Sequence, residues 1–248
     1  VYLIEKERYS VRENDRIRSI GILSYKIDSP RYTGRRSGYG NIIKVGDNIA
    51  IITAAHCVYE IGVDKFNIDM NFSTVYGSLK DHIPIESAII HKNWGINHEI
   101  GFDTAVLIPQ KGSYDFKYYY DIASSIKETF QFEENIELSI AYIKGLLIKK
   151  IECINVQGRK EFIYGNKMIG VEFKGKRGLS GSPWFFQENG EWKQIALTSS
   201  KLKSQKNMLW GPEWGEEMVE ISNYIQGKGL DDQNLMIQKI KQERRNGI

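Results

Sequence analysis

Twelve short runs rich in β-branched and aromatic residues, separated by turn-forming stretches, confine this chain to an all-β architecture. The first six are Ile20–Lys26, Gly40–Val45, Ile49–Thr53, Lys65–Met70, Ile85–Ile90 and Thr104–Ile108, broken by pieces such as Gly46-Asp47-Asn48. Short strands with turns between them predict an antiparallel barrel. The pattern lapses after Ile108; this stretch holds Tyr118-Tyr119-Tyr120 and a run of acids, and predicts a connector with a helical turn near Ile122–Thr129. Strand runs resume at Ile136–Tyr142, Leu146–Cys153, Phe162–Ile163, Lys167–Phe173, Ser182–Phe186 and Trp192–Ser199, a second barrel. Beyond them, Leu209–Gly215 predicts a loop because it holds Trp210, Pro212 and Trp214. Glu216–Gln226 and Asp231–Arg245 have helical spacing, with Asp231 as N-cap and Leu235, Met236 and Ile240 on one face. The expected fold is therefore two antiparallel six-stranded β-barrels with a C-terminal helical segment. The division is an arm at 1–18, a first barrel at 19–110, a linker at 111–135, a second barrel at 136–206, and a loop with helices at 207–248.

Composition adds bounds more than identity. A chain of 248 residues with 41% hydrophobic and 26% charged residues fits one sizeable globular domain or two small ones. The net charge of +3 gives no excess that would recruit nucleic acid. No apolar run approaches the roughly 20 residues of a membrane-spanning helix, so no membrane partner is expected. No Cys/His/carboxylate cluster has metal-ligand spacing; neither metal nor cofactor is expected, and His82, His91 and His98 read as surface or loop residues.

Chemistry concentrates in three segments. Gly178-Leu179-Ser180-Gly181-Ser182-Pro183 sets a serine between glycines, a backbone able to present one hydroxyl beside free N–H groups. Such a hydroxyl is a poor nucleophile until an imidazole takes its proton, and the imidazole works best when a buried carboxylate holds its other nitrogen. Thr53-Ala54-Ala55-His56-Cys57 offers the imidazole, and Gly101-Phe102-Asp103-Thr104-Ala105 offers a carboxylate ahead of an apolar run. Asp115 and Asp121 are alternatives without such a strand. The order His, Asp, Ser and the Ala-Ala-His-Cys wording resemble the chymotrypsin-like (trypsin-like) serine peptidases. The Ser180-Gly181-Ser182-Pro183 ending is closest to their bacterial glutamyl-endopeptidase, V8-like branch.

That resemblance implies a serine endopeptidase acting on proteins or peptides through catalytic His56, Asp103 and Ser180, with the N–H groups of Gly178 and Ser180 as oxyanion hole. It implies a substrate pocket lined by Lys174, Gly175, Thr198, Ser199 and Lys201. Ser199 can serve as pocket wall or as a second hydrogen bond to Asp103. Lys174 stands where a trypsin-type pocket holds an acid, so cleavage after basic residues is disfavoured; a lysine-rich rim either favours an acidic substrate residue or is solvated surface. Leu179 replaces the aspartate that pairs with a freed N-terminal amine in trypsin-type enzymes, so another device must fix the oxyanion loop: apolar packing or a regulatory protein partner. A catalytically silent binding module on the same scaffold is the alternative. In secreted relatives the cysteine after the histidine is usually bridged to one upstream, but here that stretch reads Gly38-Tyr39-Gly40-Asn41. Cys57 and Cys153 are expected as two buried thiols, which leans toward a cytoplasmic setting, with secretion the alternative.

Overall fold

The computed structural model describes residues 15–30, 32–75, 82–114, 119–121, 135–144, 150–173, 178–228 and 232–243. After a four-residue helix α1 (Asp15–Arg18), the strands β1 (Ile20–Asp28), β2 (Thr33–Val45) and β3 (Asn48–Thr53) lead to a small pair, β4 (Tyr59–Glu60) and β5 (Lys65–Phe66). Then come β6 (Ile68–Thr74), β7 (Ile83–His91), helix α2 (Lys92–Gly95), β8 (Ala105–Pro109) and β9 (Tyr120–Asp121). The second half has β10 (Asn135–Lys144), β11 (Lys150–Ile163), β12 (Asn166–Glu172), β13 (Pro183–Glu188), β14 (Glu191–Leu197) and β15 (Met208–Pro212). Helix α3 (Glu216–Ile225) and β16 (Leu235–Lys239) follow.

The first sheet runs β1-β6-β7-β8-β3-β2 and returns to β1 by an antiparallel β1–β2 ladder, so it is a closed six-stranded barrel. Alternation explains why: in β1, Leu23, Tyr25 and Ile27 are buried in the barrel core, whereas Ile22, Ser24 and Lys26 on the other face are only partly covered. The second sheet, β14-β13-β10-β11-β12-β15, is six-stranded and antiparallel. Its end strands are brought together by the Ser200–Trp210 bridge, compatible with the expected second barrel.

Five segments depart from the sequence reading, the first being Phe162–Ile163, expected as a separate strand and in fact the end of β11. The run Lys65–Met70 is broken at Asn67, which is buried with its side chain donating to Cys57 O at 3.2 Å. The expected loop at Leu209–Gly215 begins as strand β15, because glycine at 211 fits a backbone so close to Leu197 O that a Cβ would lie 2.3 Å from it. Tyr120–Asp121, within the expected linker, pairs in parallel with Ile43–Lys44; the helical turn expected at Ile122–Thr129 lies outside the described residues. The last expected helix is instead β16, antiparallel to Ser87–His91 of β7. Its apolar residues suit either period over so short a run, and the unpaired edge of β7 decides for strand. By contrast α3 forms where helical spacing predicts it.

The halves are joined by buried polar contacts as well as apolar ones. Ser19 Oγ donates to Asn41 Oδ1 and Asn41 Nδ2 to Gln194 Oε1, each at 2.6 Å, and all three residues are fully buried. Trp214, Met218 and Ile221, which follow the second sheet in sequence, lie in the core of the first barrel. At the start of α3, Glu217 accepts the Gly215 N–H at 2.9 Å, and burial pushes its carboxyl up to about 7.

Neither cysteine forms a disulfide, and both are buried. Gly38 occupies the place of a disulfide partner: a Cβ there would lie 2.6 Å from Cys57 Sγ and 3.5 Å from its Cβ, at the short end of the roughly 3.5–4.5 Å Cβ separation of disulfides.

Two measurements check these points. The unfolded chain loses the Glu217 proton at lower pH than the folded chain does, so stability present below the ordinary carboxylate range is lost as pH rises through about 7. Glu217→Gln should recover roughly 3 kcal/mol of that loss at mildly alkaline pH and little at acid pH, as read by urea unfolding. Gly38→Cys should form a bridge to Cys57 that raises stability by about 3 kcal/mol under oxidising conditions, and on reduction its melting temperature should fall below wild type because the added side chain crowds Cys57 and Ser180 O.

Candidate active site

His56 lies in a single 3₁₀ turn, Ala55–Cys57, directly after β3. Ala54 and Ala55 are fully buried, so small side chains let this turn press against the barrel core while the imidazole stays partly exposed. Asp103 follows a second 3₁₀ turn, Ile100–Phe102, and sits at the centre of an inverse γ-turn: φ is −74°, ψ is 54°, and Thr104 N–H donates to Phe102 O at 2.7 Å. This turn swings a carboxylate that is only 2% exposed toward the histidine.

The carboxylate meets three donors. Asp103 Oδ1 accepts the main-chain N–H of His56 at 2.8 Å, and Oδ2 lies 2.8 Å from His56 Nδ1. Ser199 Oγ donates to Oδ2 at 2.5 Å, which selects the second of the two placements expected for this serine. An ionised carboxylate only accepts, so Nδ1 carries the proton and Nε2 is left as the basic nitrogen. Burial by itself would push the His56 imidazole down; the Asp103 carboxylate, helped by the Cys57 sulfur, outweighs it and holds the group well above its ordinary range. The Trp94 ring stands beside the imidazole, 6.5 Å between centroids and tilted by 53°.

Ser180 projects from a turn locked at each step. Gly178 and Gly181 adopt φ of +88° and +79°, a region that favours glycine. Ser182 N–H closes on Leu179 O at 2.9 Å, Gly181 N–H on Thr198 O at 2.8 Å, and Thr198 N–H on Ser182 O at 2.8 Å. On its other flank, Ser180 O accepts the Tyr39 N–H of β2 at 2.7 Å. The fit there is close enough that a Cβ at Gly181 would lie 2.2 Å from Tyr39 O. Leu179 is buried in the core of the second sheet with Ile169, Trp184 and Leu209. Apolar packing thus occupies the place of the trypsin-type aspartate.

The serine and histidine segments converge on one point of β2, since a Cβ at Gly38 would touch both Cys57 Sγ, at 2.6 Å, and Ser180 O, at 3.2 Å. The Ser180 hydroxyl makes no hydrogen bond to the His56 ring among the described residues. Of the expected pocket residues, Thr198 is buried with its Oγ1 accepting the Trp184 indole N–H at 2.8 Å, and Lys201 is exposed. Lys174 and Gly175 lie outside the described residues. His91, expected as a surface or loop residue, is buried, because it ends β7 beneath α3 with its ring stacked on Phe102 at 4.6 Å. Tyr39 carries no motif, yet its hydroxyl also accepts the Ile143 N–H of β10 at 2.9 Å, tying the serine turn to both sheets. Among the described residues no group of three or more His, Cys, Asp or Glu could hold a metal ion.

No family model matches the chain, and no curated protein does. Solved structures do. A thermostable serine protease, AL20, from an extremophilic microorganism is 18% identical with a TM-score of 0.69, covering 87% of this chain and 100% of its own. The protease Anisep from Arthrobacter nicotinovorans is 17% identical with a TM-score of 0.66, covering 85% and 96%. A Glu endopeptidase solved with MPD is 15% identical with a TM-score of 0.57, covering 87% and 94%. The chain has the chymotrypsin-like fold that these serine proteases share.

Proposed function

We propose that this chain is a serine endopeptidase using Ser180, His56 and Asp103. The observation that carries the reading is the three-donor hold on Asp103, which fixes the imidazole in the orientation and tautomer that leave Nε2 as its basic nitrogen. In this mechanism His56 Nε2 takes the Ser180 proton as Oγ bonds to the substrate carbonyl carbon. The N–H groups of Gly178 and Ser180 receive the developing oxyanion. The imidazolium then gives its proton to the leaving amine, and water, deprotonated by the same nitrogen, releases the acyl group.

Lys174, Gly175, Thr198 and Lys201 are the proposed surroundings of the substrate side chain. A lysine at 174 sets this pocket against cleavage after Lys or Arg. The Glu endopeptidase among the structural neighbours agrees with a kinship to the V8-like branch, and Lys174 and Lys201 would favour an acidic residue by charge complementarity. Packing of Leu179 in the core supports an oxyanion loop held without a freed N-terminal amine.

A fluorophosphonate probe and a peptide library test the reading together. Stoichiometric labelling at Ser180, hydrolysis of library peptides, and loss of roughly 10⁴-fold or more in kcat/KM for Ser180→Ala with an unchanged melting curve are expected. Wild-type protein that resists the probe and cleaves nothing would establish the silent binding module instead. Because Asp103 lifts the imidazole, the acid limb of the kcat/KM profile should lie above the ordinary histidine pKa, activity rising with pH through it. Asp103→Asn should move that limb down while lowering kcat by about 10⁴-fold.

A further inference from the structure

The carboxylate of Asp103 is oriented by His56 and Ser199, but its main chain is also held, by residues that no motif marks. A γ-turn is a one-residue bend with no ladder of its own, so its direction must be set by what grips the residues on either side. On the entering side, Gly101 N–H donates to Asn166 Oδ1 at 3.1 Å. Asn166 opens β12 just after the tight turn Tyr164-Gly165, and its Nδ2 donates to Tyr164 O at 3.0 Å, so both ends of the amide are committed. A Cβ on Gly101 would come 2.7 Å from the same Oδ1. On the leaving side, Thr104 Oγ1 accepts the Trp214 indole N–H at 3.2 Å, with both residues buried. Asn166 and Trp214 come from the half of the chain that supplies Ser180, whereas Gly101, Asp103 and Thr104 come from the half that supplies His56.

We propose that Asn166 and Trp214 are positioning residues: together they clamp the Asp103 turn from both sides and set the angle at which its carboxylate meets His56. The inference rests on the catalytic reading above, but its primary readout does not. A carboxylate that must satisfy three donors at once tolerates little rotation, and a misplacement of about 1 Å in a catalytic array costs on the order of 100-fold in rate. Loosening one of two grips should cost less.

The test compares Asn166→Ala and Thr104→Val, which remove one grip each at nearly constant shape for the second, with Thr104→Ser, which keeps the hydroxyl that Trp214 needs. Low-field proton NMR of the His56 Nδ1–H shared with Asp103 is recorded alongside kcat and KM on a cleaved peptide. Asn166→Ala and Thr104→Val should broaden the resonance or shift it upfield and lower kcat about tenfold with KM within twofold. They should also move the acid limb of the pH profile down, and Thr104→Ser should restore all three. Folded variants whose resonance and kcat match wild type would reduce both contacts to packing and overturn the proposal. A wild-type chain that shows the resonance but hydrolyses nothing would sink the peptidase reading alone, with the clamp still decided by the resonance. A folded wild-type chain without the resonance would overturn the clamp.

Discussion

A carboxylate that is almost wholly buried, with no Lys or Arg paired to it among the described residues, is the constraint around which this protein is built. Taking an unpaired carboxylate out of water costs several kcal/mol, and the cost is offset only if strong donors meet both oxygens. Asp103 finds them in the His56 main chain, the His56 ring and the Ser199 hydroxyl. The first two belong to the barrel that carries Asp103 itself, the third to the other sheet. The charge is therefore fully satisfied only after the two halves pack, and assembly of the candidate site and completion of the fold are one event.

The rest of the seam serves the same end. Tyr39 links β2 to the Ser180 turn and to β10, and the Ser19–Asn41–Gln194 chain crosses the interface in a region closed to solvent. Buried polar chains of this kind are costly when half-made, so they hold the two sheets to one register and not merely to one another. Leu179 adds the apolar counterpart, anchoring the serine turn from beneath. These contacts bring the His56 and Ser180 segments to the same stretch of β2 with few degrees of freedom left.

Much of this was legible in the sequence because its periods are short and local. The alternation of Leu23, Tyr25 and Ile27 announces β1 without reference to the rest of the molecule. The wording around His56, Asp103 and Ser180 marks the candidate site for the same reason. What escaped depends on neighbours distant in sequence. Trp210, Gly211 and Pro212 look like loop residues until Leu197 is seen beside them. Leu235 to Lys239 looks helical until the free edge of β7 claims it. His91 is polar by type and buried by position, under a helix more than a hundred residues later in the chain. Asn166 and Trp214 have no local signature at all, since each matters only through a backbone group or hydroxyl of the other half.

The pairing of β16 with β7 carries a consequence for the order of synthesis. Strand β7 ends at His91 and its partner begins at Leu235, so a chain emerging from the ribosome displays that edge long before anything of its own can cover it. A nascent first barrel is thus left with an open flank, a template for stray strands. The hazard has a useful side: the loop bearing Asp103 springs from the far end of that same strand, and it gains its full support only once Asn234 to Lys239 have been made.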